Sequence, residues 1–176
     1  SIYDRMPGLK VISPMTPEEY KLAYQQFMSD DVPYYISEHR KSYNNTEEMK
    51  DVLHENPDFV LFPISITRFE AEDARKELEA LGYKVSIIHQ LWIKPFVAKD
   101  IWIKTLRNSK YGGMVLDDDY TQGTCSKIAH RLMLESSKPV HVMGIKDRTA
   151  GFYPTVDNLP PSKEEIVKKA LSILRG

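Results

Sequence analysis

Three consecutive carboxylates, Asp117, Asp118 and Asp119, follow the apolar run Met114-Val115-Leu116, and Thr121 stands two residues beyond them. Carboxylates at the end of an apolar strand lie where α/β sheets place their ligands. The plain alternative is an acidic strand-end loop whose charges face water or a helix N-terminus. Cys125 follows on the apolar side of a helical pattern and reads as a small core residue. No local histidine motif accompanies it to make a catalytic thiolate. The five histidines are scattered, with none paired at metal-ligand spacing, so structural roles are expected for them. Gly112-Gly113 and Gly123 form neither a GxxxxGK[ST] nor a GxGxxG phosphate loop. Tyr34, Tyr35 and Tyr43 beside His39, Arg40 and Lys41 mix aromatics with cations. Without an RNP-type motif or an excess of positive charge, strand packing explains them better than an RNA platform.

The elements that must position these residues emerge from periodicity. Leu9–Ser13 reads as a strand closed by Pro14. Thr16-Pro17-Glu18-Glu19 has the signature of a helix start: a Thr cap, Pro at the first position and Glu three residues after the cap. Tyr20, Ala23, Tyr24 and Phe27 follow at helical spacing. Val32–Ile36 reads as a second strand, and the polar stretch Ser42–Thr46 as a linker. Beyond it, strands at 59–62, 84–88, 114–116 and 140–143 alternate with helices. The first of these helices, about Arg68 to Leu81, places Ala71, Ala74, Leu78 and Leu81 on one face and stops at Gly82. The next begins after Pro95 and carries Val97, Ala98, Ile101, Trp102 and Leu106. Ser162-Lys163-Glu164-Glu165 is a second capping box, opening a last helix with Val167, Ala170, Leu171 and Leu174 inward. The expected fold is an α/β, three-layer sandwich with a mostly parallel sheet of about five strands over residues 44–176. A strand–helix–strand segment, residues 1–43, is expected to precede it as a separate unit.

Composition narrows the function classes. The chain has 176 residues, 41% apolar and 28% charged, with a formal net charge of −1. No nucleic-acid footprint dominates at that balance. No apolar run approaches the ~20 residues of a membrane span. Cys125 is the single cysteine, so neither an internal disulfide framework nor a cysteine-based zinc cluster can form. No secretory segment is read at the N-terminus. The expected setting is intracellular: the cytoplasm, with the mitochondrial matrix as the other option.

Two family resemblances follow from these residues. The first is local: Asp117-Asp118-Asp119-Tyr120-Thr121 resembles the nucleophile motif of haloacid-dehalogenase-type phosphatases. That family would use the first Asp as nucleophile, the second as acid/base, and magnesium to screen charge. Its motif stands near the start of the chain, however, and no convincing copy of its later lysine and acidic motifs follows here. The second resemblance runs the length of the chain. Pro7-Gly8-Leu9-Lys10-Val11-Ile12-Ser13-Pro14-Met15-Thr16-Pro17-Glu18-Glu19 and Tyr35-Ile36-Ser37-Glu38-His39-Arg40-Lys41-Ser42-Tyr43 resemble the segments that close the pyrimidine-binding domain of transketolase-like thiamine-diphosphate enzymes. They look most like those of the β subunits of 2-oxo acid (pyruvate or branched-chain) dehydrogenase decarboxylating components. Leu78–Ile88, Lys94-Pro95-Phe96 and Gly144-Ile145-Lys146-Asp147-Arg148 are similar to parts of that group's C-terminal domain. The departures are a single glycine, Gly123, in the place of a GGxGxEIA motif, and Pro57–Ile64 in the place of a GxDVTIVxxG strand.

This resemblance implies a division into residues 1–43, the end of a pyrimidine-binding domain, and residues 44–176, a transketolase C-terminal-like domain. It implies thiamine diphosphate and magnesium in the complete enzyme. The glutamate that protonates the aminopyrimidine and the GDG…Asn motif that grips diphosphate and metal are not among these residues. No catalytic, cofactor-binding or metal residue is therefore assigned, and the chain alone is expected not to bind the cofactor. Its implied role is assembly and completion of a site for 2-oxo acid decarboxylation or ketol transfer. The implied partners are a second copy or a complementary subunit, and an acyltransferase core. One substrate-side role is implied for His39 and Arg40, where transketolases present an arginine to the sugar phosphate; a rim ion pair is the other reading of Arg40. The competing classes are the small magnesium-dependent phosphatase and a non-catalytic α/β binding module. Unless a partner covers them, Tyr20, Tyr24, Phe27, Tyr34 and Tyr35 are expected not all to be buried.

Overall fold

The computed structural model describes residues 2–153 and 157–176. The apolar run at 59–63 becomes strand β3 (Phe59–Pro63), every residue of it buried. It pairs in parallel with β4 (Val85–Ile87) on one side and β6 (Gly113–Tyr120) on the other. The outer partner of β6 is β7 (Val140–Ile145), also parallel, giving the order β4-β3-β6-β7. Burial on both faces explains why β3 and the first half of β6 read as continuous apolar runs rather than alternating ones. Side chains alternate across the pleat. Phe59 and Leu61 enter a core with α2 (Thr67–Ala80) and α5 (Lys163–Leu174). Val60 and Phe62 enter a second core with α3 (Asp100–Arg107) and α4 (Thr124–Ser136). The result is the expected three-layer α/β sandwich, with a parallel sheet of four strands among the described residues.

A smaller sheet lies beside it, in the order β2-β1-β5. Strands β1 (Lys10–Ile12) and β2 (Tyr34–Ile36) pair in parallel, connected through α1 (Pro17–Ser29). The third member, β5 (Trp92–Lys94), comes from the second half of the chain and runs antiparallel to β1. The first 43 residues thus hydrogen-bond directly to the loop that leaves the main sheet. Val11 and Ile93 share the core on the α3/α4 side.

Local signals translate unevenly. Gly82 sits just past α2 with φ of 93°, the left-handed conformation a helix-ending glycine supplies. Leu81 is half exposed there, because the helix has already ended at Ala80. The helix expected after Pro95 begins only at Asp100, leaving Val97 in solvent. Ser162 and Glu165 form the capping box in full. Thr16 takes the N-cap position of α1, yet its side chain caps nothing, and its buried Oγ1 has no hydrogen-bond partner.

Candidate functional site

The chain leaves β3 for the edge strand β4, then returns across the sheet to β6 on β3's other side. This reversal makes the carboxyl ends of β3 and β6 the crevice where open α/β sheets bind ligands. Ser65 lies at the end of β3 with φ of 52°, a strained value for a residue with a side chain. Its Oγ donates to Asp118 Oδ2 at 2.7 Å. On β6, Asp117 is 3% exposed, and its Oδ1 accepts from the Asp119 amide at 3.3 Å. Burial, reinforced by the charges of Asp118 and Asp119, pushes the Asp117 carboxyl up to about 7. Beside it, burial and then the Asp117 charge push the Cys125 thiol up to about 12. That thiol is inert at neutral pH and donates to the Thr121 carbonyl at 3.3 Å.

The crevice is narrow. A cavity of about 80 Å³ is what separates these carboxylates from Val11, Ser13, Tyr35, Ser37 and Ile93 of the small sheet and the residues next to it. Strand β6 continues through the three aspartates to Tyr120, which pairs with Ile145 of β7. Gly144 is required opposite, since a Cβ there would meet the Asp119 carbonyl at 2.4 Å. The aspartates are thus strand residues at a packed joint and not an open catalytic loop. A carboxyl that holds its proton near neutrality is a poor nucleophile toward phosphorus. Among the described residues, no grouping of three or more His, Cys, Asp or Glu could hold a metal ion. This geometry does not arrange the chemistry of a magnesium-dependent phosphatase.

A second polar joint links α1 to α2. Arg68 is fully buried and donates from both terminal nitrogens to the two oxygens of Glu19, each at 2.7 Å. Glu19 also accepts from the Met15 amide at 2.9 Å, so the residue expected to close the capping box is drawn into tertiary contact. Arg68 Nε donates to His89 Nδ1 at 3.3 Å, and His89 Nε2 lies 3.1 Å from Glu72 Oε1. Burial works against the Glu72 charge, but the bond to His89 and the nearby Arg75 outweigh it and hold the carboxyl below its ordinary range. Sequence reasoning missed this chain of contacts. Its one local trace is an arginine placed directly after a run of buried residues, where a guanidinium needs a partner.

His39 and Arg40 stand together just beyond β2. His39 caps a short 3-10 turn, Arg40–Asn44, accepting at Nδ1 from the Lys41 amide at 3.2 Å. Arg40 is exposed and makes no ion pair among the described residues. Their neighbour Glu38 accepts from the hydroxyls of Tyr24 at 2.8 Å and Tyr43 at 2.9 Å. Those bonds, first among the causes, raise both phenols above their usual range. Tyr24 and Phe27 are 50% and 43% exposed, while Tyr20, Tyr34 and Tyr35 are half-buried, so the aromatic set is indeed only partly covered.

The family model described as "Transketolase, C-terminal domain" matches residues 50–163. The chain belongs to the transketolase C-terminal domain family. No curated protein matches it. Among solved structures, a split-gene transketolase described as an "inactive beta4 tetramer" is similar over 99% of this chain and 60% of its own. Its TM-score is 0.77 at 16% identity. The transketolase of Campylobacter jejuni matches over 97% of this chain and 27% of its own, with a TM-score of 0.68 and 13% identity. A 2-oxoglutarate:ferredoxin oxidoreductase from Magnetococcus marinus matches over 90% and 24%, with a TM-score of 0.54 and 17% identity. At these identities the likeness is one of fold. This transketolase C-terminal-type chain spans less than two thirds of each of these relatives.

Thiamine diphosphate with magnesium, the group this family implies, does not fit the described residues. Among them no grouping of three or more His, Cys, Asp or Glu could hold the metal, and the cavity at the acidic strand ends, about 80 Å³, is small for a diphosphate. No helix of the described residues is long and apolar enough to cross a membrane.

Proposed function

We propose that this chain is the C-terminal part of a thiamine-diphosphate-dependent enzyme of the transketolase and 2-oxo acid dehydrogenase β-subunit type. It serves subunit assembly and completes an active site whose cofactor is held elsewhere. The carrying observation is that likeness to transketolase does not stop at residues 50–163. It extends over 99% of the chain and takes in β1, α1 and β2. In this reading residues 1–43 are the closing segment of a pyrimidine-binding domain, and residues 44–176 the C-terminal domain. The Glu19–Arg68 pair and β1–β5 pairing hold the two in register. The exposed Tyr24 and Phe27 are then covered by the remainder of that domain, in a second copy or a complementary subunit. An acyltransferase core is a further partner if the enzyme is of the dehydrogenase type.

Arg40 is the substrate-side contribution, with His39 shaping its turn. The exposed guanidinium, unpaired among the described residues, favours an anion-binding role over a rim ion pair. Mixing the chain with a complementary subunit carrying the cofactor motifs should reconstitute 2-oxo acid decarboxylation or ketol transfer. Arg40→Ala should then raise KM for a phosphorylated substrate by about tenfold while leaving kcat within a factor of about two, the signature of lost uniform binding. An unchanged KM would remove Arg40 from the site, and failure of the mixture to assemble would remove the proposal itself.

A further inference from the structure

A cavity of about 750 Å³ opens between α1, residues 49–51 and the segment that carries β5 into α3. Sites for small molecules span roughly 300–1,000 Å³, apolar over most of their lining with a few converging polar groups. This cavity has that composition. Leu22, Leu91, Pro95 and Val97 give apolar wall, and Trp92 and Trp102, the only tryptophans of the chain, add two indoles.

The polar lining divides into groups already engaged and groups left over. Glu19 is taken by Arg68. Asp51 accepts from the His89 amide at 2.9 Å and from Trp102 Nε1 at 3.1 Å. Lys10 pairs with Asp30 and donates to the Tyr34 hydroxyl at 3.3 Å. Two cations remain. Lys99 lies over the Trp102 ring, 4.7 Å from its centroid, and Lys50 has no ion pair or hydrogen bond among the described residues. Arg68 balances the Glu19 charge, and neutral N–H donors occupy Asp51 without cancelling its charge. Against that one carboxylate stand two ammonium groups with free donors, so the lining keeps a net positive charge.

We propose that this cavity binds a small organic anion, with its flat apolar body between the two indoles and its carboxylate or phosphate at Lys50 and Lys99. The aromatic faces supply burial and the ammonium groups supply the charge preference. Neither step depends on the assembly role proposed above, so the two readings fail separately.

The chain's two tryptophans make the test direct. In a 15N-labelled sample of the full chain, its two indole N–H resonances report on this cavity. Phenylacetate and phenyl phosphate should each shift both resonances saturably, and benzyl alcohol, of similar shape but neutral, should bind about tenfold more weakly. A preference for one of the two anions identifies which headgroup the site takes. Both lysines are exposed, so Lys50→Ala with Lys99→Ala should leave the remaining amide spectrum unchanged. That double variant should weaken both anions to the level of benzyl alcohol. Leu22→Phe, which narrows the apolar wall, should weaken all three probes together. Equal affinity for the anions and the alcohol, insensitivity to the lysine variant, or unmoved indole resonances at millimolar probe would each overturn the proposal.

Discussion

The front segment meets the sandwich at two polar joints built from opposite arrangements of charge. Where α1 meets α2, a carboxylate and a guanidinium satisfy each other completely: Glu19 spends both oxygens on Arg68 and still accepts a backbone amide. Where the small sheet meets β6, three carboxylates stand in succession, and burial beside the charges of Asp118 and Asp119 makes Asp117 hold its proton to about pH 7. Burial is similar at the two joints, since Arg68 is fully buried and Asp117 is 3% exposed. The first joint is fixed by pairing and the second by protonation. The second should feel changes of pH near neutrality.

The largest effect is expected from unpairing the first joint. Glu19→Ala leaves a buried guanidinium without its carboxylate and should cost about 3–5 kcal/mol, read from urea unfolding. Replacing both partners, Glu19→Leu with Arg68→Met, should cost much less than the single change, because no charge is then stranded. A single variant as stable as the parent would show that the pair is ornamental.

The next effect has the opposite sign. With its folded pKa raised above the ordinary carboxylate value, Asp117 keeps a proton that the unfolded chain has lost. Its contribution to stability therefore falls as pH rises from the acid range through about 7. Asp117→Asn should accordingly stabilise the fold by on the order of 2–4 kcal/mol near pH 8 and by almost nothing near pH 4. A gain that did not vary with pH would place its origin in packing instead of protonation.

The smallest effects separate the two helix starts. Ser162→Ala breaks a complete capping box and should cost about 1 kcal/mol. Thr16→Val removes a hydroxyl that caps nothing and has no partner, so thermal melts should show a change within about 0.5 kcal/mol of zero or a gain.

Those two helix starts also mark how far the sequence could be read. The four strands of the main sheet and their helices were legible because apolar runs and helical stripes are local properties. Ser162 behaved as its motif says because nothing distant competes for Glu165. At Thr16 the same motif met a buried arginine 49 residues from Glu19, and that pairing prevailed. Strand β5 escaped notice for a similar reason. Trp92-Ile93-Lys94 is too short to carry a period, and its partner β1 lies some eighty residues earlier. The family and its fold were legible from motif order. The candidate substrate residues His39 and Arg40 rested on that resemblance, and the structure adds their exposure and their turn. The Trp92–Trp102 cavity had no sequence signature, since its walls come from segments that periodicity treats separately.

The central claim, that this chain completes a thiamine-diphosphate site rather than containing one, is tested most directly by calorimetric titration of the cofactor with magnesium. The isolated chain should show no micromolar, magnesium-dependent binding. The same titration into the chain mixed with a complementary subunit should show saturable binding, lost when the subunit's diphosphate-gripping motif is mutated. Micromolar, magnesium-dependent binding to the isolated chain would contradict the account.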